Sequence, residues 1–316
     1  MRRLYLFFGV MVLGLGPALG QTVGVGPAVG LGDARALGLD TIAMPGMKVM
    51  ANIRYGQANE KQSFDLYLPD HKTVGRLPLM IWIHGGGWRM GRKNEMEVAW
   101  LASFGYAIAS IDYRFSRDSV FPAQVRDCNA AIRILWKNAG MWGLDTGRFV
   151  LAGASAGGHL ASLIALSRNN RIQDFDAWPL SDRRVTFKGV INFYGPADFY
   201  AFHGDETGYK VDSVTSSVSL LLGGSPLSLP GRARYASPAT YVDAGDPPVL
   251  ILHGDKDPIV PLYLDILFYH VLREAGVRSE LMILPGAGHG GPAFTGDSSR
   301  RTVLGFLDSI FSNKSH

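Results

Sequence analysis

The chain has 316 residues, of which 47 % are hydrophobic and 18 % are charged, a composition typical of a globular protein with a large core rather than a disordered chain. Its formal net charge of +4 at pH 7 gives no reason to expect a nucleic-acid partner. Cys128 is the only cysteine, which excludes an intrachain disulfide and predicts a small buried apolar residue. The histidines lack metal-ligand spacing, so we predict no metal site.

Residues 1–20 have the pattern of a secretory signal peptide. Arg2 and Arg3 precede an apolar run over residues 4–16, and a small-residue stretch ends at Gly20, which predicts cleavage after that glycine. An uncleaved membrane anchor is the alternative, but the apolar run is shorter than the about 20 residues that a bilayer span needs. We therefore expect a secreted or periplasmic protein with no stable membrane anchor after cleavage.

Residues 21–48 are rich in Gly, Ala and Pro without a sustained period, and they predict a flexible leader. Residues 49–316 then alternate short apolar runs with helical patterns. The predicted strands cover residues 63–69, 79–84, 106–113, 148–154, 187–195, 247–254 and 279–286, and the predicted helices include residues 121–139, 261–275 and 298–311. Such an alternation predicts one α/β domain with a mostly parallel central sheet and helices on both faces.

Residues 196–242 interrupt the alternation. They are rich in Ser and Leu and contain Gly223, Gly224 and several prolines. A connection this long inside a compact domain is typically functional or partly disordered. We favour a small helical cap insertion that serves as a lid or binding wall.

The stretch GASAGG at residues 153–158 suggests a nucleophile. Ser155 follows an apolar strand and precedes a helical run, which is the strand, turn and helix context of a nucleophile elbow. Glycines on both sides of the serine allow a tight turn that projects the hydroxyl from the strand end. A small-residue helix start is the alternative, so the decision depends on partners elsewhere in the chain.

Two such partners follow later strands. His289 lies in a glycine-rich loop and can act as the base, while Asp257 can hold the imidazole in one tautomer. The chain order Ser155, Asp257, His289 is that expected of the α/β-hydrolase fold. Asp255 is the competing carboxylate, but its place directly at a strand exit suggests a turn-forming side chain. We predict a catalytic triad of the first three residues.

The sequence HGGGW at residues 84–88 follows another apolar strand. Hydrolysis of an acyl group develops negative charge on the carbonyl oxygen, which needs preorganised N–H donors. Gly86 and Gly87 can present their backbone N–H groups without a side chain in the way, and Ala156 adds the N–H after the nucleophile. The backbone N–H of Trp88 is the alternative donor if the loop register shifts by one residue.

Several motifs together resemble the hormone-sensitive-lipase-like esterases, and most closely their bacterial bifunctional feruloyl and acetyl esterase branch. They are HGGGWRMG (84–91), IDYR (111–114), FPAQVRD (121–127), GASAGGHLA (153–161), PPVLILHGDKDPIVP (247–261) and PGAGHG (285–290). The resemblance extends over roughly residues 50–310. It implies the α/β-hydrolase fold, carboxylic ester hydrolysis without a cofactor, and the residue roles given above.

The expected substrate is a small-molecule or polysaccharide-linked acyl ester, possible examples being acetyl and feruloyl esters of plant polysaccharide. An arylformamidase or another amide hydrolase of the same fold is the alternative. A peptidase of the prolyl-oligopeptidase type would need a further domain for which the leader leaves no room, and a binding protein would typically lack His289. The acyl and alcohol specificity and the oligomeric state stay open.

Aromatic residues at the strand ends face the same rim. We predict Trp88, Tyr113 and Tyr194 as substrate-binding residues, with core packing as the alternative for each. Other polar residues of the motifs are expected to be structural. His84 should bond its own loop and His159 should pack within its helix. Arg114 and Asp127 should form an ion pair that tethers two loops.

Overall fold

The computed structural model describes residues 44–71, 73–176, 185–202 and 208–312. The predicted signal peptide and residues 21–43 of the predicted leader lie outside these ranges. The first strand begins at Met47, within the last two residues of the range 21–48 predicted as a leader, and the sequence predicted no strand before residue 63. The strand starts earlier because Met47 and Lys48 already pair with Pro69 and Leu68 of the next strand.

Eight strands form one sheet in the order β1-β2-β4-β3-β5-β6-β7-β8. The strands are β1 (Met47–Arg54), β2 (Ser63–Pro69), β3 (Leu77–Ile83), β4 (Ala107–Ile111), β5 (Leu144–Ala154), β6 (Gly189–Phe193), β7 (Val249–Gly254) and β8 (Ser279–Leu284). β2 pairs antiparallel with β1 and with β4, while the other pairs are parallel. The predicted fold class, an α/β-hydrolase with a mostly parallel sheet, is confirmed.

Helices cover both faces of this sheet. They are α1 (Ala123–Lys137), α2 (Ala156–Leu166), α3 (Ser217–Leu222), α4 (Pro230–Ala236), α5 (Leu262–Glu274) and α6 (Asp297–Ser312), with 3-10 helices at Ala99–Phe104, Gln173–Phe175, Pro238–Tyr241 and Pro292–Phe294. None of the helices within the described ranges is both long enough and apolar enough to span a membrane.

The apolar strands of the sequence are explained by two separate hydrophobic cores. In β3, Leu79 and Ile81 pack into the core beneath α1, α2 and α5, while Met80 and Trp82 pack into the core beneath α6. Successive side chains of a strand point to opposite faces, so a sheet covered on both faces needs apolar residues at nearly every position. Cys128 of α1 is fully buried in the first core, as predicted, and burial raises the pKa of its thiol.

The segment 196–242, which we call the cover, contains α3, α4 and the 3-10 helix Pro238–Tyr241. The prediction of short helices here is confirmed for its described residues. The cover is also part of the main body, because Leu221, Leu222 and Ala233 are buried in the same core as α1 and α2. Ser216 caps α3 by accepting a hydrogen bond from the N–H of Ser219 at 2.9 Å.

Candidate active site

Ser155 lies on a strained turn between β5 and α2. Its backbone angles are φ 53° and ψ −119°, a region that a residue other than glycine occupies only when the surroundings enforce it. The N–H of Ser155 donates to Phe193 O of β6 at 2.8 Å. Gly157 is required because a Cβ there would lie 1.9 Å from Ile83 O of β3. The predicted nucleophile elbow is therefore present in the backbone.

The predicted partners of Ser155 meet it in a continuous chain of hydrogen bonds. His289 Nε2 lies 2.8 Å from Ser155 Oγ, and His289 Nδ1 lies 2.6 Å from Asp257 Oδ2. The other oxygen of Asp257 accepts the N–H groups of Ile259 at 2.8 Å and Val260 at 2.9 Å. This arrangement can carry a proton from the serine hydroxyl to the imidazole while the carboxylate holds the ring in one tautomer.

Asp257 is ionised and Asp255 has a structural task. Burial alone would raise the pKa of Asp257, but hydrogen bonds from His253 and His289 outweigh burial and hold that pKa well below its usual range. Asp255 instead accepts the N–H of Gly286 at 2.6 Å and so braces the loop that carries His289. The structure thus brings Asp257, and not Asp255, to the imidazole.

The HGGGW loop forms the neighbouring wall of the same pocket. Gly86 has φ 100°, and a Cβ there would lie 2.1 Å from Met90 O, so only glycine fits this turn. Gly87 also has a positive φ, 58°, and both glycines line the pocket beside Ser155. Ala156 begins α2, where backbone N–H groups have no partner within the helix.

Buried side chains hold this loop from below. His84 is fully buried, and its Nδ1 donates to Gly85 O at 2.7 Å while its Nε2 lies 3.3 Å from Asp112 Oδ1. The hydroxyl of Tyr113 donates to His84 O at 3.0 Å, and its ring stacks on the imidazole at 4.5 Å. Tyr113 is fully buried, so its predicted substrate contact is wrong. Tyr113, two residues after the end of β4, thus lies beneath the loop, and its hydroxyl donates to the carbonyl oxygen of His84.

Trp88 borders the pocket, but its indole packs away from solvent and is only 3 % exposed. Its Nε1 donates to His159 Nδ1 at 3.2 Å, and its ring makes an edge contact with Phe199. His159 Nε2 in turn donates to Ala236 O of the cover at 2.7 Å. Burial lowers the pKa of His159 to about 4, so the ring is neutral and structural. The indole of Trp88 therefore joins α2, the helix that follows Ser155, to the cover.

Tyr194, which follows β6, does line the pocket. Its ring lies 4.7 Å from the His289 ring, and its hydroxyl donates to Glu97 Oε1 at 3.2 Å. Burial raises the pKa of both Tyr194 and Glu97. The sequence offered no signal for Glu97, because no motif in the residues between the HGGGW loop and Glu97 indicates that the chain returns to the pocket there.

The pocket has a volume of about 420 Å³. The cover contributes Phe202, Tyr209 and Ser217 to the pocket lining, and Ser217 lies directly beside Gly87 of the HGGGW loop. The rings of Phe202 and Tyr209 stack with their centroids 5.9 Å apart. Among the described residues, no three His, Cys, Asp or Glu side chains are grouped as a metal site requires.

The predicted loop tether is also present. Arg114 makes two hydrogen bonds to Asp127, from Nε at 2.9 Å and from Nη2 at 2.8 Å, and its backbone N–H donates to the same carboxylate at 3.0 Å. This pair joins the residues after β4 to α1 and makes no contribution to the pocket lining.

The fold and this geometry define an α/β-hydrolase with a hydrogen-bonded serine, histidine and aspartate at the carboxyl edge of the sheet. The chain belongs to the BD-FAE family, a family of hormone-sensitive-lipase-like esterases, whose model matches residues 64–272. The resemblance that the sequence motifs indicated is thereby confirmed.

Individual proteins extend this comparison. Esterase LipQ of Mycobacterium tuberculosis is 29 % identical over 244 residues, which are 76 % of this chain and 56 % of LipQ. The chain therefore spans about half the length of this curated relative. A truncated carbohydrate esterase from gut microbiota has a TM-score of 0.78 at 25 % identity, covering 86 % of this chain and 99 % of the other. A bifunctional GH43-CE protein of Bacteroides eggerthii has a TM-score of 0.73 at 28 % identity, covering 85 % and 36 % of the two chains.

Proposed function

We propose that the protein is a serine hydrolase of carboxylic esters that works through an acyl-enzyme on Ser155. The observation that carries this proposal is the hydrogen-bond chain from Ser155 Oγ through His289 to Asp257, with distances of 2.8 Å and 2.6 Å. A serine hydroxyl becomes nucleophilic when an adjacent base accepts its proton, and a base oriented by a third group is the usual solution.

In the first half of the reaction, Ser155 Oγ attacks the ester carbonyl carbon while His289 Nε2 takes the hydroxyl proton. The ionised carboxylate of Asp257 stabilises the imidazolium that results. Collapse of the tetrahedral intermediate breaks the bond to the alcohol oxygen, which receives the proton from His289. In the second half, His289 accepts a proton from water, the hydroxide attacks the acyl carbon, and Ser155 leaves with a proton as the acid is released.

The negative charge of each tetrahedral intermediate falls on the former carbonyl oxygen. We assign its stabilisation to the backbone N–H groups of Gly86, Gly87 and Ala156, with Trp88 N–H as the alternative in the loop. The positive φ of both glycines supports this role, because a glycine backbone can approach the substrate closely.

The proposed substrates are acetyl or feruloyl esters of a polysaccharide. Support for an aromatic acyl group or a sugar ring comes from Tyr194, Phe202 and Tyr209, which line the pocket on the sides of His289 and the cover. Flat apolar faces of this kind bind phenyl rings and the apolar faces of sugars.

Polar groups in the same pocket support a hydroxyl-rich alcohol. Arg89, Glu95 and Glu97 line the pocket together with Ser155, and such side chains can exchange hydrogen bonds with sugar hydroxyls. The carbohydrate esterase and the bifunctional GH43-CE protein among the structural neighbours support the same substrate class.

The experiment is a substrate panel with the purified protein: 4-nitrophenyl esters of increasing chain length, acetylated xylan, methyl ferulate and N-formylkynurenine. We expect hydrolysis of 4-nitrophenyl acetate and of at least one carbohydrate-linked ester. Hydrolysis of N-formylkynurenine alone would replace the proposal with its amidase alternative.

The matched variant is Ser155→Ala, which should keep the melting temperature and lower kcat by at least about 10³-fold. A retained rate within tenfold of the parent would exclude Ser155 as the nucleophile. Mass spectrometry during turnover should detect an added acyl mass on the parent and none on the variant.

We also propose that the protein is exported. The pattern over residues 1–20 supports a signal peptide. N-terminal sequencing of the protein recovered from periplasm or medium should begin at Gln21, and recovery of the full-length chain in the membrane fraction would support an uncleaved anchor instead.

A further inference from the structure

A second histidine lies directly behind the carboxylate of the triad. His253, near the end of β7, is fully buried, and its Nε2 lies 3.4 Å from Asp257 Oδ2, the oxygen that also faces His289. On its other side, His253 Nδ1 lies 2.6 Å from Oδ2 of Asp265, a fully buried residue of α5. Five side chains therefore form one line of contacts from the interior of the protein to Ser155.

The hydrogen bonds of His253 fix its protons. Val260 O lies 2.9 Å from His253 Nε2, and a carbonyl oxygen only accepts, so Nε2 carries a hydrogen. Burial alone would lower the pKa of His253, but the negative charge of Asp265, together with Asp257, outweighs burial and raises that pKa to about 10. The raised pKa favours the imidazolium form of His253, whose Nδ1 then donates to Asp265. Burial raises the pKa of Asp265, and the charge and hydrogen bond of His253 oppose that rise.

The charge of His253 acts on Asp257 Oδ2, the oxygen that contacts His289. Oδ1 of Asp257 is already occupied by two backbone N–H groups. Oδ2 is left between His289 Nδ1 and His253 Nε2. An imidazolium on the inner side holds this oxygen in place and offsets part of the negative charge that His289 experiences.

We propose that His253 and Asp265 form a buried ion pair that positions Asp257 and sets how far into the acid range His289 remains able to accept a proton. This inference rests on the proposed function of the triad. His253 touches neither the substrate nor the reacting atoms, so it is a positioning residue. A positive charge on His253, behind the oxygen that faces His289, disfavours a second positive charge on His289.

Other titratable groups face the same cluster. Asp257 faces His289 and Tyr194 as well as His253, and Asp265 faces His253, Asp257 and His289. Tyr194 stays neutral because burial raises its pKa. Glu97 contacts the hydroxyl of Tyr194, and burial raises the pKa of its carboxyl group. Because Glu97 is the same in the parent and in each variant below, comparison of their pH profiles isolates the ion pair.

The first test is Asp265→Asn, a substitution with the same shape. The new amide can donate to a neutral His253 Nδ1 while Nε2–H still reaches Val260 O, so the geometry stays and the charge of His253 is lost. We expect the acid limb of kcat/KM to move to higher pH by about half a unit, the size that Coulomb's law gives for a nearby ion pair at an effective dielectric constant of about 20. KM and the rate on the alkaline plateau should stay within about threefold.

A purely structural role gives a different result. In that case Asp265→Asn lowers the melting temperature and lowers the rate at every pH, while the midpoint of the acid limb does not move. This outcome would overturn the proposal.

The second test compares His253→Gln with His253→Asn. The Gln amide can reach the former Nε2 position near Asp257 and Val260, whereas the Asn amide can reach only the Nδ1 position near Asp265. Positioning of Asp257 through Nε2 predicts that the Asn variant loses about tenfold more kcat than the Gln variant. Equal losses in two folded variants would contradict that role, and if neither variant folds, Asp265→Asn decides.

Each pH profile is measured in two ways, by ester hydrolysis and by the rate at which a fluorophosphonate probe labels Ser155. The probe reports the reactivity of the serine without requiring the correct substrate. Labelling of Ser155 without hydrolysis of any ester in the panel would contradict the proposed function. If Asp265→Asn is labelled and the acid limb of its pH profile has the same midpoint as that of the parent, the proposed ion pair is contradicted.

Discussion

The two sides of the pocket are built in different ways. The catalytic side consists of short turns at the ends of parallel strands, where backbone contacts such as Ser155 N–H to Phe193 O at 2.8 Å fix each residue. The cover consists of short helices that are held by side chains, for example Ser237 Oγ, which accepts the N–H of Phe199 at 2.8 Å. His159 joins the two sides through its hydrogen bond to Ala236 O.

From this difference we expect the turns at the strand ends to determine the chemistry and the cover to determine the selectivity for substrates. Strand ends in a sheet are set by the ladder of backbone hydrogen bonds, so triad positions depend little on the identity of surrounding side chains. The cover depends on its own side chains for its shape, so its pocket surface changes readily by substitution. The cover cannot be replaced as a whole, however, because Leu221 and Leu222 are buried in the main core. Point substitutions are the appropriate test.

The largest expected effect distinguishes the two carboxylates of the catalytic side. Asp257→Asn should lower kcat by about 10³- to 10⁴-fold, because an amide cannot stabilise the imidazolium of His289. Asp255→Asn should keep activity within about tenfold, since the Asp255 carboxylate accepts the backbone N–H of Gly286 while the imidazole of His289 is held by Asp257. Steady-state kinetics on 4-nitrophenyl acetate measures both, and the reverse ranking would assign the triad to Asp255.

The hydrogen bond from His159 to Ala236 O, which connects the two sides, should make the stability of the protein sensitive to acid. Burial lowers the pKa of His159 to about 4 in the folded protein from its ordinary value of 6.5, so between these two pH values the unfolded chain binds a proton that the folded protein does not. Stability should therefore fall as pH drops from about 6.5 to 4, by up to about 3 kcal/mol, since one pKa unit corresponds to about 1.4 kcal/mol.

Urea unfolding at several pH values measures this loss, and His159→Gln is the control. Its amide can still donate to Ala236 O but takes up no proton. The variant should be less stable at pH 7 and should show a flatter pH dependence between 4 and 6.5. Parallel curves for the parent and the variant would show that His159 does not titrate in this range.

A smaller effect is expected at the pocket surface of the cover. Phe202→Ala should raise KM for methyl ferulate about tenfold, because a stacked aromatic wall is lost, and should change KM for 4-nitrophenyl acetate about twofold or less. Tyr200→Ala is the matched control, since Tyr200 is exposed and lies outside the pocket lining. Equal loss on both esters would mean that Phe202 supports the catalytic loops rather than the substrate.

The smallest effect is expected at Tyr113, which the structure places outside the pocket lining. Tyr113→Phe leaves the carbonyl of His84 without its hydrogen bond, which should lower the free energy of unfolding by about 1 kcal/mol. KM should remain unchanged for every ester of the panel. A raised KM with unchanged stability would restore Tyr113 as a substrate contact.

Tyr113 and Tyr194 show where prediction from the sequence ends. Both follow buried strands of the same sheet, and both were predicted to line the pocket. Tyr113 turns beneath the HGGGW loop and satisfies its carbonyl, whereas Tyr194 passes beside His289 and reaches Glu97. The path of the chain after each strand decides between these outcomes, and that path depends on neighbouring loops that are distant in sequence.

The sequence by itself determined the order of the last seven of the eight strands, the elbow at Ser155 and the positions of Asp257 and His289, because period, glycine spacing and strand ends are local properties of the chain. The strand β1 (Met47–Arg54) was not predicted, because its formation depends on pairing with β2, a contact that its own residues do not encode. Tertiary structure also decided that Phe202 and Glu97 share a pocket and that His253 stands behind Asp257. Those placements follow from packing between distant segments, which no local pattern records.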